Sequence, residues 1–79
     1  MLNIKILGSG CANCKRLEQI ARKTVSDLGL EAEFEKVTEL TEIMKWPILS
    51  TPGLVVNNKL VSAGRIPSAA EIGQWLKAS

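Results

Sequence analysis

Hydrophobic and polar residues alternate from Leu2 to Leu7, with Leu2, Ile4 and Ile6 set against Asn3 and Lys5. A period of two predicts a strand. Gly8-Ser9-Gly10 ends it with three small residues. The period then changes: Leu17, Ile20, Ala21, Thr24, Val25 and Leu28 recur at three- and four-residue spacing, which predicts a helix buried along that face. Lys15, Glu18, Gln19, Arg22, Lys23 and Ser26 fall on the opposite, solvated side, and Gly29 is placed to accept the positive φ of a helix C-terminus.

A second strand follows, with Ala32, Phe34 and Lys36 alternating against Glu33, Glu35 and Val37. Thr38 is placed to cap a short helix that turns Leu40, Ile43 and Met44 inward, and Pro47 stops it. Gly53 to Val56 and Lys59 to Ala63 are β-rich runs joined by Asn57-Asn58, residues that tolerate the left-handed conformations of a two-residue hairpin. Gly64 breaks the last strand. Ser68-Ala69-Ala70-Glu71 is a capping-box pattern, followed by Ile72, Trp75 and Leu76 on one face of a final helix.

The predicted order is β-α-β-α-β-β-α, an α/β domain spanning residues 1–79 with a four-stranded mixed sheet flanked by helices. A right-handed crossover makes the first two strands parallel, and the hairpin adds an antiparallel pair.

Composition narrows the function. With 46% hydrophobic residues the chain has enough apolar material for a core, and a net charge of +2 with scattered Lys and Arg does not describe a nucleic-acid surface. No run approaches the roughly 20 apolar residues of a membrane span. The apolar N-terminal run is short and carries Lys5, so no secretory signal is expected. The expected setting is the cytoplasm, where a structural disulfide does not persist and a C-x-x-C pair reads as redox or metal chemistry.

The pair in question is Cys11-Ala12-Asn13-Cys14, between the first strand and the first helix. A helix N-terminus presents unpaired N–H groups and the positive end of the macrodipole, which favours a thiolate over a thiol. Cys11, at the entrance, is assigned as the nucleophile. Cys14, a turn further in and more shielded, is the resolving thiol. Gly10, Ala12 and Asn13 shape the site, Lys15 and Arg16 are candidates for lowering the thiol pKa, and Gly8, Ser9 and Gly10 leave room for a partner's backbone. The dithiol itself serves as the redox group, so no further cofactor is expected.

Other readings use the same residues. Small metallochaperone domains also place C-x-x-C between a first strand and a first helix, and Cu(I) suits two soft thiolates. Their order is β-α-β-β-α-β, whereas this chain closes on a capped helix. With no His and only two Cys, a single chain cannot build a four-ligand Cys/His zinc site, which leaves a metal or cluster bridging a dimer. A redox sensor is a third reading, separable from an enzyme by turnover. Trp75 and Met44 read as core, and Trp46 as either rim or core.

Two separated features, Cys11-Ala12-Asn13-Cys14 and Thr51-Pro52 before the hairpin, resemble the thioredoxin superfamily, in particular its small, glutaredoxin-sized members. The resemblance implies a thioredoxin-like fold and a cis Thr51-Pro52 bond packed beside the dithiol. It implies that Thr51 pairs through its backbone with an extended substrate segment, that Pro52 shapes the site, and that Gly64 lies in a turn on the same surface. It further implies protein-disulfide oxidoreductase activity on disulfide-containing protein substrates, with re-reduction by a donor such as a flavoprotein disulfide reductase. A monomer suffices for this. The chain departs from the family in having Gly10 where an aromatic residue is frequent, in its Ala12-Asn13 dipeptide, and in lacking any acidic residue in the first strand.

Overall fold

The computed structural model describes residues 2–8, 12–48 and 50–78. The elements are β1 (Leu2–Leu7), α1 (Ala12–Asp27), β2 (Ala32–Val37), α2 (Leu40–Ile43), β3 (Gly53–Val56), β4 (Lys59–Ala63) and α3 (Ala69–Lys77). The four strands form one sheet in the order β2-β1-β3-β4. β1 runs parallel to β2, from Leu2 opposite Ala32 to Leu7 opposite Val37, and antiparallel to β3. The mixed sheet expected from the element order is therefore present, with β1 and β3 at its centre.

Period-two alternation divides the sheet between two cores. Ile4, Ile6, Leu54 and Val56 face α1 and α3, where they meet Leu17, Val25, Ile72 and Leu76. Leu7, Val37 and Val55 point to the opposite face and pack with Ile43 of α2, with Trp46, Ile48 and Leu60 half-buried around them. Every residue of β3 is buried, as a central strand covered on both faces requires.

Local signals end the elements. Gly29 has φ 67°, Leu30 N–H donates to the Val25 carbonyl (3.1 Å) and Gly29 N–H to that of Ser26 (3.1 Å), together a Schellman motif. Asn57 and Asn58 have φ of 50° and 66°, as a two-residue hairpin with both central residues left-handed requires. Asn57 also ties the hairpin to β1. Its N–H donates to the Asn3 carbonyl (2.7 Å), and its side-chain oxygen accepts from Asn3 N–H (2.9 Å). The hairpin contains an irregularity that alternation does not reveal. Leu54 pairs with Ser62 and Val55 with Leu60, so Val61 is an extra residue in β4.

Three expectations need correction. In α2 only Ile43 is buried; Leu40 and Met44 are 69% and 70% exposed. A single turn of helix presents one narrow face to the sheet, and Ile43 occupies it. The N-cap of α2 is Glu39, without a side-chain capping bond, so Thr38 is not the cap. Half of the capping-box prediction is seen in α3: the Ser68 hydroxyl accepts from Glu71 N–H (3.2 Å), while the Glu71 carboxylate pairs with Arg65 (2.8 Å). Trp75 is half-buried against the α1–α3 core. Trp46 closes the edge of the second core, with Lys5 Nζ 5.6 Å from its ring centroid. Among the described residues no helix is long and apolar enough to cross a membrane.

Candidate active site

α1 begins at Ala12, the residue after Cys11 in the sequence, and Cys14 therefore belongs to its first turn. Gly10 and Cys11, with Ser9, lie outside the described residues. Ala12 and Asn13 are exposed, whereas Cys14 is buried with 5% of its surface accessible. The helical period explains the difference. Cys14 shares the face of Leu17 and Ala21, which packs onto the sheet, and Ala12 and Asn13 do not.

Three segments converge at Gly8: the end of β1, the first turn of α1 with Cys14, and the loop with Thr51. At the end of β1, Gly8 is buried, and a Cβ built there would collide with Cys14 Sγ and stand 3.3 Å from Cys14 Cβ and 3.8 Å from Thr51 Cβ. Gly8 is thus filled in from within the molecule rather than left open for a partner's backbone. It is held in place by its N–H, which donates to the Val37 carbonyl (2.9 Å) and extends the β1–β2 pairing.

The third segment is the loop before β3. Its Thr51–Pro52 bond is cis, with Thr51 exposed and Pro52 buried. The Pro52 carbonyl accepts from Gly64 N–H (2.9 Å). Gly64 has φ 77°, and a side chain there would collide with Ser50 Oγ, so the turn after β4 lies directly on the cis-proline loop. Cys14, Thr51, Pro52 and Gly64, distant in sequence, are gathered at one end of the sheet.

Charge also reaches Cys14, by a route the sequence did not reveal. A cavity of about 50 Å³ is lined by Cys14, Lys15, Glu18 and Lys36, with Ile6 of β1, Gly8 just after it and Thr38 just after β2. Glu18 was expected on a solvated face, yet its side chain is only 14% exposed. Its carboxylate oxygens are separately engaged, one by Arg22 Nε (2.8 Å) and the other by Lys36 Nζ (3.2 Å). Partial burial pushes the Glu18 carboxyl up. The hydrogen bonds from Arg22 and Lys36, with their positive charges, outweigh this and hold it below the ordinary glutamate value. Arg22 is simultaneously stacked on Phe34, 4.4 Å from the ring centroid. Lys15 lines the cavity; Arg16 is exposed and is not part of that lining.

Part of the signal for this cluster was present in the period. Glu18 follows Cys14 by four residues, and Lys36 falls on the helix-facing side of β2 with Ala32 and Phe34. Their convergence depends on how α1 crosses the sheet, which no spacing specifies.

An α/β sheet of order β2-β1-β3-β4, with a C-x-x-C at the start of α1 and a cis-proline loop beside its second cysteine, defines a thioredoxin-like protein. The family model described as "Thioredoxin domain" matches residues 2–77. A protein named thioredoxin from Methanothermobacter thermautotrophicus is 46% identical over 76 residues, covering 96% of this chain and 99% of that relative. Another of that name, from Methanocaldococcus jannaschii, is 40% identical over 77 residues, covering 98% of this chain and 88% of the relative. The chain belongs to the thioredoxin family, a family of thiol–disulfide oxidoreductases.

Proposed function

We propose that this protein reduces or exchanges disulfides in protein substrates through a reversible Cys11–Cys14 dithiol/disulfide couple. The observation that carries the reading is the position of Cys14, buried in the first turn of α1 against Gly8 and the cis Thr51–Pro52 loop. Full-length similarity to two proteins named thioredoxin supports it.

In the reducing direction the Cys11 thiolate attacks one sulfur of a substrate disulfide. The substrate's other sulfur leaves with the electron pair and takes up a proton, which gives a mixed disulfide at Cys11. The Cys14 thiolate then attacks the Cys11 sulfur. The Cys11–Cys14 bond forms, the bond to substrate breaks, and the second substrate thiol departs. Two electrons pass from the dithiol to the substrate, and an electron donor such as a flavoprotein disulfide reductase restores the dithiol. No cofactor other than the dithiol enters these steps, and one chain suffices.

Roles for the neighbouring residues follow from their placement. The Pro52 carbonyl is engaged internally by Gly64, while Thr51 is exposed next to it, suited to pairing with an extended substrate segment. The N-terminal dipole of α1 favours the thiolate state at its start. The rival metal-carrier reading is disfavoured by the observed element order, which differs from β-α-β-β-α-β.

A redox titration of the metal-free protein, with thiols trapped by an alkylating agent and weighed, tests the proposal. The expected result is a reversible two-electron transition between roughly −300 and −180 mV, lost in Cys11→Ser and in Cys14→Ser. Failure to form the intramolecular disulfide anywhere in that range overturns it.

A further inference from the structure

Burial alone works against Cys14 as a resolving group. A thiol removed from water has its pKa raised, and only the thiolate attacks the mixed disulfide. Cys14 is among the buried residues of the core, yet the cavity beside it is bordered by ionic side chains, and their arrangement is specific.

Around this cavity one carboxylate, Glu18, stands with three cations, Lys15, Lys36 and, through Glu18, Arg22. The balance is positive. Among the described residues, the charged groups that border the cavity come from α1 (Lys15 and Glu18) and β2 (Lys36), whereas Ile6, Gly8 and Thr38 bring no charge. Thr51, from the cis-proline loop, brings no charge. Glu18 is poorly arranged to accept a proton, because both of its oxygens already hold cations. Its carboxyl is also held in the ionised form. What the carboxylate does accomplish is geometric. The Lys36 side chain is 61% exposed and long enough to extend into solvent, but its ammonium is tethered at 3.2 Å to Glu18, and both residues line the cavity.

We propose that Glu18 and Lys36 are positioning residues for the resolving step: Glu18 holds the Lys36 ammonium at the cavity it shares with Cys14, and the ammonium stabilises the Cys14 thiolate. This rests on the dithiol reading above. Before attack, the Cys14 proton passes to water. The thiolate then displaces the substrate from Cys11, forming the Cys11–Cys14 bond and sending the electron pair to the departing substrate sulfur. Lys36 keeps its proton throughout and acts only through its charge. Arg22, braced on Phe34, secures the other oxygen of Glu18 and so fixes the carboxylate toward β2.

The test uses a Cys11→Ser background, in which Cys14 is the sole thiol of the chain. Thiolate absorbance is followed against pH, and far-ultraviolet circular dichroism verifies that each variant is folded. Lys36→Gln is expected to move the Cys14 titration upward by about half a pH unit or more, and Lys36→Arg to leave it near its starting point. Glu18→Gln is expected to move it upward by less, although a negative charge has been removed, because the Lys36 ammonium is released. In the protein with both cysteines, Lys36→Gln should slow release of a small thiol from a mixed disulfide at Cys11 by about threefold at neutral pH, the equivalent of half a unit.

An unchanged titration in Lys36→Gln overturns the proposal. So does a downward shift in Glu18→Gln, which would make the carboxylate a repelling neighbour rather than a bracket. A loss of resolution in Glu18→Gln with no change in the Cys14 titration would identify Glu18 as a proton acceptor and overturn it as well. The Cys14 titration reads the same whether or not the couple forms a disulfide, so failure here is distinct from failure of the redox titration.

Discussion

Gly8 and Cys14 are in direct contact: the backbone at the end of β1 lies so near the Cys14 sulfur that no side chain fits between them. This contact connects the central strand to Cys14. Any substitution at Gly8 must move either the strand end, which is held to Val37, or the thiol.

Gly8→Ala should therefore be costly even though alanine is the smallest change available. Overpacking at a buried position costs about 1–3 kcal/mol, and here the atom in the way belongs to the cysteine itself. Denaturant unfolding measures the loss, and the same variant should show a displaced Cys14 titration. A stability within experimental error of the parent would show that the strand end yields more easily than its backbone bond to Val37 implies.

The opposite result is expected at Gly73. It lies inside α3 and faces α1, where an added Cβ would meet Thr24 Cγ2 at 3.7 Å and Leu28 Cδ1 at 3.8 Å, both ordinary contact distances. Glycine costs a helix interior roughly 0.5–1 kcal/mol relative to alanine. Gly73→Ala should raise the thermal midpoint by about 2–8 °C in a domain of this size.

The three apolar residues in and just after α2 are not equivalent. Ile43 is 5% exposed in the second core, and Ile43→Ala should cost about 2–4 kcal/mol. Leu40→Gln and Met44→Gln, at exposed positions, should each change stability by no more than about 0.5 kcal/mol. Urea midpoints of the three variants decide the matter, and comparable losses at all three would mean that α2 packs by a broader face than described.

Glu18 gives the fold an acid dependence of definite sign. Because the folded-state pKa lies below the ordinary value, the unfolded chain takes up the proton more readily. The contribution is complete above the unfolded value, about 4.3, and is lost as pH falls through the folded one. The stability difference between the parent and Glu18→Gln should accordingly be constant above about pH 5 and shrink steadily below it. Denaturation at a series of pH values measures it. A difference that instead grew on acidification would contradict the ionised Glu18–Arg22–Lys36 arrangement.

Much of the molecule was legible in the chain, and the reason is local. The ranges of the four strands, the buried stripe of α1, the left-handed Gly29 and the Asn57-Asn58 hairpin follow from periodicity and from backbone conformations that few residues adopt. C-x-x-C at a strand–helix junction, with Thr51-Pro52 ahead of a hairpin, identified the candidate site because both features depend on neighbouring residues alone. Other features depend on how elements approach one another. The single turn of α2 buries Ile43 while exposing Leu40 and Met44, since its contact with the sheet is narrower than the apolar pattern suggests. The extra residue in β4 is a matter of register between strands. The pairing of Glu18 with Lys36 beside Cys14 arises only when α1 is laid across β1 and β2, bringing residues 18 apart in sequence to 3.2 Å. Local chemistry determined which elements form and set Cys14 in the first turn of α1; packing of α1 on the sheet decided which charges lie around it.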